Sequence, residues 1–248
     1  MKLRKRLILF LQGFVMVNVL WYIAAAVVNM KVLPRPTEIY FNIDKLYGEK
    51  LYVHVLVSLY RVIGGLTISL IIGLVLGLLM AYSRLWHKLL NPLVYFTYPI
   101  PKTALLPVLM LLFGLKDTSK IILIVLIVVF QVIVAVRDSV LNISKDSYNL
   151  IKSLGASRFQ IFKNVTLPAI LPELLTNLRV SMGTAISILF FAEGYGTNYG
   201  IGYYIIDAWN RIDYISMYSG IVVISLVGFG MFTLIDMLEE KLCKWKNI

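Results

Sequence analysis

The sequence predicts an all-α polytopic membrane protein of about six transmembrane helices, and three observations carry that prediction. First, 59% of the 248 residues are hydrophobic and the mean hydropathy is +0.82, more apolar surface than a water-soluble domain of this size can bury. Second, apolar runs of the length a bilayer requires, about 20 residues, recur along the chain. Third, the cations gather between those runs with a bias. Fourteen of the 24 Lys and Arg fall at the start of the chain, in Arg84–Lys88, in the segment Arg137–Lys163 and in the last residues. Seven fall in the alternate connections: Lys31, Arg35, Lys45, Lys50, Lys116, Lys120 and Arg211. The richer set belongs in the cytoplasm, so both termini are expected there.

The net charge of +11 does not indicate nucleic acid, because the cations flank apolar spans instead of sharing one compact polar face. The single cysteine, Cys243, excludes an intrachain disulfide or a thiolate metal site. His54 and His87 stand alone and make no metal constellation, and no Gly-x-x-x-x-Gly-Lys-Ser/Thr phosphate loop or Ser-His-Asp arrangement is present. No cofactor, metal or catalytic residue is therefore expected.

Leu7 to Val28 is the first span. The cations before it imitate a signal peptide, but the run is long enough to cross a bilayer and no small-x-small cleavage site precedes a soluble domain. Asn29 to Lys50, with Pro34 and Pro36, is an outer segment that closes a region 1–50. Val53 to Tyr82 is the second span. In it Gly65, Ser69, Gly73, Gly77 and Ala81 fall at four-residue intervals, a stripe of small side chains on which another helix can pack closely. Arg84 to Lys88 is expected as a short cytoplasmic loop. The third span, Leu89 to Leu115, is interrupted by Pro92, Pro99, Pro101 and Pro107. A helix so broken belongs where protein or a water-filled path satisfies the freed carbonyls. Gly114 to Lys120 is an outer loop, and Ile121 to Val136 is the fourth span. The fifth runs from Leu174 to Ala192, opened by Pro172-Glu173, with Arg179 snorkelling to the cytoplasmic side. Gly194 to Gly202 is a glycine-rich outer turn, and Tyr203 to Arg211 is an amphipathic outer piece. The sixth span is Tyr214 to Ile235, and a cytoplasmic tail ends the chain.

The most informative segment lies between spans four and five. In Asn149–Pro168 the apolar residues Ile151, Leu154, Phe159, Phe162 and Val165 recur at spacings of three to five, roughly a helical stripe. Gly155 interrupts the stripe, and Ser157-Arg-Phe-Gln160 reads as a capping box. The expectation is helix, Gly turn and a second short helix stopped near Leu167-Pro168. The apolar face of that pair either packs on its own spans or docks a partner.

This segment resembles the cytoplasmic EAA loop of binding-protein-dependent ABC importer permeases, in which Glu-Ala-Ala, three residues, Gly, nine residues and Ile-x-Leu-Pro follow in order. Asn149, Leu150 and Ile151 stand where that family has Glu-Ala-Ala, Val165 stands for the Ile, and Gly155 and Leu167-Pro168 match. The acid is lost and the helix–Gly–helix spacing is kept. Ser58-Leu-Tyr-Arg61 resembles the Ser-x-x-Arg that opens the permease core. Ile100-Pro-Lys-Thr-Ala-Leu-Leu-Pro107 with Leu112-Phe-Gly114, and Ala192-Glu193, resemble the nitrate/sulfonate/taurine-type subgroup.

The resemblance covers about residues 51 to 240 and implies a type I ABC importer permease core there, with 241–248 as a cytoplasmic tail. It implies a bacterial plasma (inner) membrane location and a complex of two copies of this chain, two ABC ATPase subunits and an extracytoplasmic solute-binding protein. ATP hydrolysis would occur in the separate subunit. The loop 145–168 would be the coupling helix, through Asn149, Ile151, Ser153, Leu154, Gly155, Ala156, Ser157, Arg158, Phe159, Leu167 and Pro168. Subgroup substrates include nitrate, sulfonates, taurine and vitamin precursors, and no residue selects among them.

For the translocation path the candidates are Arg61, Pro99, Pro101, Lys102 and Glu193, since charge at membrane depth is costly unless it has a task. Each charge also has a quieter explanation. Arg61 and Glu193 can reach the outer interface, and Lys102 can satisfy carbonyls freed by the prolines. The alternative function is a stand-alone ion-coupled carrier, which needs a titrating acid such as Glu193, with Asp236 at the inner interface. A membrane-embedded enzyme is disfavoured because no catalytic constellation is present.

Overall fold

The structure, a computed structural model, describes residues 3–42 and 50–247. Lys2, the 43–49 part of the outer segment with Lys45, and Ile248 of the tail lie outside the described residues. Every regular element among the described residues is helical. Five helices are long and apolar enough to cross a membrane, six if one sharply bent pair is a single broken span.

Helix α1 (Leu3–Val28) is followed by the short α2 (Pro36–Phe41). Asn18 ties the two. Its amide donates to Phe14 O at 2.9 Å, within its own helix, and its Oδ1 accepts from Tyr40 OH at 2.8 Å. Both polar ends of an Asn on an apolar span are thus satisfied.

Helix α3 (Leu51–Tyr82) has 32 residues, about 48 Å of helix, more than a hydrocarbon core requires. It packs on α6 (Asp117–Leu141). A Cβ at Gly65 or Gly73 would lie 2.6 Å from Ile124 or Val132, and one at Gly77 2.8 Å from Val136. Ile124, Val128, Val132 and Val136, also four residues apart, are all buried opposite the small residues. Ser69 is fully buried and returns its hydroxyl to Gly65 O at 2.7 Å, and Ala81 packs at the edge of the same core. At 65, 73 and 77 glycine is required because the Ile124, Val132 and Val136 side chains already lie where a methyl group would sit. The main core lies between α3, α6 and the helix Leu167–Glu193, around Ile124, Val128, Ile170 and Ala185, with Met231 and Ile235 of the last long helix closing it.

The region 84–115 differs from the expected loop and span. Residues 84–88 are helical, not a loop: α4 (Arg84–Thr97) begins directly after Ser83, one extended residue. The stretch has helix-forming Arg, Leu and Lys and no glycine or proline to stop it. The four prolines act differently. Pro92 sits inside α4, Pro99 and Pro101 separate it from a 3₁₀ turn (Lys102–Leu105), and Pro107 opens α5 (Leu106–Phe113) in its first turn. The two limbs are bent by 86°. The next loop is shorter than expected, Gly114–Lys116, because α6 takes Asp117 into its first turn, where a carboxylate suits the helix dipole.

After α6, the helix α7 (Lys145–Ser153) leads through Gly155 to α8 (Arg158–Ile161). The expected stop at Leu167-Pro168 and fresh start at Pro172 do not occur. The chain passes through a π turn (Phe162–Thr166) straight into α9 (Leu167–Glu193), with Pro168 in its first turn and Pro172 inside it. Proline can sit at a first turn because no N–H is required there. Helix α10 (Ile201–Asn210) starts two residues before the expected amphipathic piece. Helix α11 (Tyr214–Leu242) runs seven residues past Ile235. Asp213 caps it, Oδ1 accepting from Ser216 N–H at 3.2 Å and Oδ2 from its hydroxyl at 2.7 Å.

Candidate functional site: a buried charge cluster, a broken helix and an exposed loop

Near the first end of α3 a charged cluster joins four elements. Arg61 Nη1 donates to Glu193 Oε1 at 2.7 Å and to Tyr199 O at 2.8 Å. Its Nε donates to Asp117 Oδ1 at 2.8 Å, and Nη2 lies 2.7 Å from the same oxygen. The Arg61 and Glu193 side chains are 3% and 1% exposed, whereas Asp117 is 47% exposed. Glu193 also accepts Ser58 Oγ at 2.8 Å and the Gly202 N–H at 2.9 Å, at the start of α10. Ser58 Oγ accepts the Ile201 N–H at 2.8 Å, and His54 Nδ1 accepts that of Gly200 at 3.1 Å. An ion pair removed from water is tolerated only when its remaining donors and acceptors are satisfied, and these are. Gly200 makes the fit possible. Its φ is +125°, and a Cβ there would lie 2.3 Å from the Glu193 carboxyl carbon. Lys120, fully buried, donates to Leu115 O beside the cluster.

The structure therefore brings Arg61 and Glu193 together, 132 residues apart in the chain. Sequence reasoning treated them separately, set Ser58 beside Arg61 only through the Ser-x-x-Arg resemblance, and missed Asp117 and His54 as members of the cluster. Asp117 lay in an expected loop, and a serine or histidine on an apolar helix carries no spacing signal that identifies its partner.

Pro99, Pro101 and Lys102 sit together at the bend, and Lys102 reaches a different part of α6. Lys102 Nζ donates to Tyr98 O at 3.1 Å and lies 5.2 Å from the Phe130 ring centroid and 5.7 Å from that of Tyr98. Phe130 is 13 residues along α6 from Asp117, about 20 Å, so the bend and the charge cluster are separate sites. Beside the bend is a cavity of about 480 Å³ lined by Asn91, Tyr95, Tyr98, Pro99, Val134 and Arg137, among others. Arg137 Nη1 donates to Asn91 Oδ1 at 3.0 Å across it.

At the other end of α3 lies the helical loop. Ser144 caps α7, and the helix ends in a Schellman arrangement, with Gly155 N–H to Lys152 O at 2.9 Å and Ala156 N–H to Ile151 O at 3.3 Å. Gly155 has φ +78°, and nothing lies within 4 Å of where its Cβ would be, so its task is conformational. The capping box at Ser157 is formed: Gln160 N–H to Ser157 Oγ at 3.3 Å and Ser157 N–H to Gln160 Oε1 at 2.7 Å. Leu150, Leu154 and Phe159 are 64%, 75% and 72% exposed. Asn149, Ser153 and Arg158 are exposed too, while Ile151, Ala156, Leu167 and Pro168 are half-buried.

Residues 70–244 match the family of binding-protein-dependent transport system inner membrane components. The chain belongs to that family. This permease is 31% identical over 222 residues to the putative aliphatic sulfonates transport permease protein SsuC of Bacillus subtilis, covering 89% of this chain and 80% of that one. It is 29% identical over 238 residues to the taurine transport system permease protein TauC of Escherichia coli, covering 93% and 86%. It is also 29% identical to the formylaminopyrimidine transport permease protein ThiX of Halalkalibacterium halodurans, covering 94% of each. The permease shares its fold with a chain of the bacterial alginate ABC transporter solved with its periplasmic protein (TM-score 0.67, 16% identity, 95% of each chain). It also shares it with a chain of the inward-facing methionine ABC transporter (TM-score 0.66, 20% identity, 77% of this chain and 95% of that one). It is an ABC importer permease of the sulfonate/taurine type and a multi-pass plasma membrane protein.

Proposed function

We propose that this permease forms, with a second copy of itself, the path for a small solute released by an extracytoplasmic binding protein, and that separate ATPase subunits drive it through residues 145–168. The solute class is an organic anion or a vitamin precursor, by analogy with the relatives that carry sulfonates, taurine and formylaminopyrimidine. The observation that carries the reading is the exposed helix–Gly–helix loop. Leu150, Leu154 and Phe159 present an apolar surface that this chain leaves uncovered, on rigidly capped short helices. Such a patch on a membrane protein's polar connection fits a protein partner.

In this reading the loop end faces the cytoplasm and the Arg61–Glu193 end faces outward. The buried cluster holds α3, α6, α9 and α10 as one body against which a binding protein can push. ATP acts only through its differential effect on contacts at the loop. The broken helix and its cavity supply the wall of the path. The ion-coupled alternative requires a free acid. Glu193 is held by Arg61, Ser58 and Gly202, and Asp236 pairs with Arg179, which weighs against it.

The test is detergent pull-down of the tagged chain from its native host with mass spectrometry. Co-elution of an ATPase and a solute-binding protein is expected. Elution alone, with transport that follows an ion gradient without ATP, overturns the proposal.

A further inference from the structure

Thr166 closes the π turn that joins the exposed loop to α9. Its side chain is fully buried. Its Oγ1 lies 2.6 Å from Tyr82 OH, at the last residue of α3, and 3.1 Å from Tyr148 OH, in the middle of α7. A threonine hydroxyl has one proton and two lone pairs, so it can bond both tyrosines at once. One atom thus links the end of α3, the loop helix and the root of α9.

The surroundings make this link the principal mechanical tie of the loop helix. No residue of α7 is buried. Among the described residues, Tyr148 carries the one side-chain hydrogen bond that leaves α7 for anything beyond its own N-cap. The π turn adds a further element. Leu167 N–H bonds to Phe162 O, five residues back, and Pro168 next to it has no N–H with which to restore the four-residue register. Wide turns of this kind occur where a helix changes register, and α9 starts directly from one.

We propose that Tyr82, Thr166 and Tyr148 form a transmission joint: a shift of α7 imposed by the ATPase reaches α3 and α9 through the shared Thr166 hydroxyl. This rests on the coupling function proposed above. Thr166 is a positioning residue that touches neither solute nor nucleotide. A hydroxyl junction suits the task better than apolar packing because it is directional, and a small shift of either tyrosine breaks its bond.

The experiment is hydrogen-exchange mass spectrometry on the complex assembled with its co-purifying ATPase, with and without ATP plus vanadate. In the wild type, peptides covering 145–153 and 167–180 and the end of α3 are expected to respond together. In Thr166→Val the 145–153 peptide keeps its response, while the response at 167–180 falls by about three- to tenfold, the worth of one to two hydrogen bonds. Thr166→Ser restores it. Tyr148→Phe, which leaves the Tyr82–Thr166 bond intact, gives the same separation and serves if Thr166→Val alters exchange without nucleotide. A wild-type response at 167–180 in both Thr166→Val and Tyr148→Phe overturns the joint. A wild type in which 145–153 itself does not respond overturns the coupling function on which the joint depends.

Discussion

Arg61 and Glu193 form an ion pair at 2.7 Å with both side chains almost fully buried, and a glycine at +125° lies against the carboxylate. Breaking a buried pair leaves one charge without compensation, which costs about 3–5 kcal/mol. Glu193→Ala is therefore expected to lower the thermal unfolding midpoint sharply in detergent. Asp117→Asn, on the half-exposed side of the same arginine, should cost about 1 kcal/mol or less. Equal losses in a thermal melt would refute the division. The double substitution Arg61→Leu with Glu193→Leu is expected to be less damaging than either single one.

Gly200 and Gly155 both have positive φ, but they should respond differently to substitution. At Gly200 any side chain meets the Glu193 carboxyl, so Gly200→Asn is expected to fail as badly as Gly200→Val in expression and folding yield. At Gly155 space is open and only the backbone is restrictive. Asn tolerates that conformation and β-branched residues do not. Gly155→Asn should keep ATPase binding, while Gly155→Val should lose it with insertion intact. A Val variant that binds and transports normally would show that the turn is dispensable.

Gly73 lies where a Cβ would approach Val132 to 2.6 Å. Gly73→Ala is expected to cost about 1–3 kcal/mol through overpacking. Adding Val132→Ala should recover part of it, because the two sites share one contact. Melting temperatures of the two single variants and the double decide. Additive losses would mean that α3 and α6 do not meet here.

Leu154 and Phe159 are largely exposed on this chain. Phe159→Ala should leave the permease's own stability within about 0.5 kcal/mol. It should also reduce ATPase co-purification, because a large apolar side chain is a common anchor at an interface. Ser157→Ala removes the capping box at about 1 kcal/mol and should weaken the same association more mildly. Unchanged ATPase recovery in both variants would move the docking surface elsewhere.

Much of the loop was legible in the chain because its signals are local. Ser157 and Gln160 are three residues apart and bond each other, and Gly155 supplies the turn its neighbours cannot. The π turn escaped notice because a proline pair reads as a stop, and nothing local reveals that a wider turn carries the helix through. Lys102 donates to the Tyr98 carbonyl at the bend, four residues back in the chain. Only the folded chain shows that it also lies over Phe130.

What the sequence by itself determined is the class of molecule, the approximate spans, the glycine line on α3 and the capped loop. Hydropathy, small-residue spacing and capping are properties of neighbouring residues. Only the tertiary structure decided that Arg61 meets Glu193 and Asp117, and that Thr166 receives Tyr82 and Tyr148. Those contacts join residues from 18 to 132 positions apart. A charge or hydroxyl on an apolar helix requires a partner, but its own segment does not say which element will bring that partner within reach.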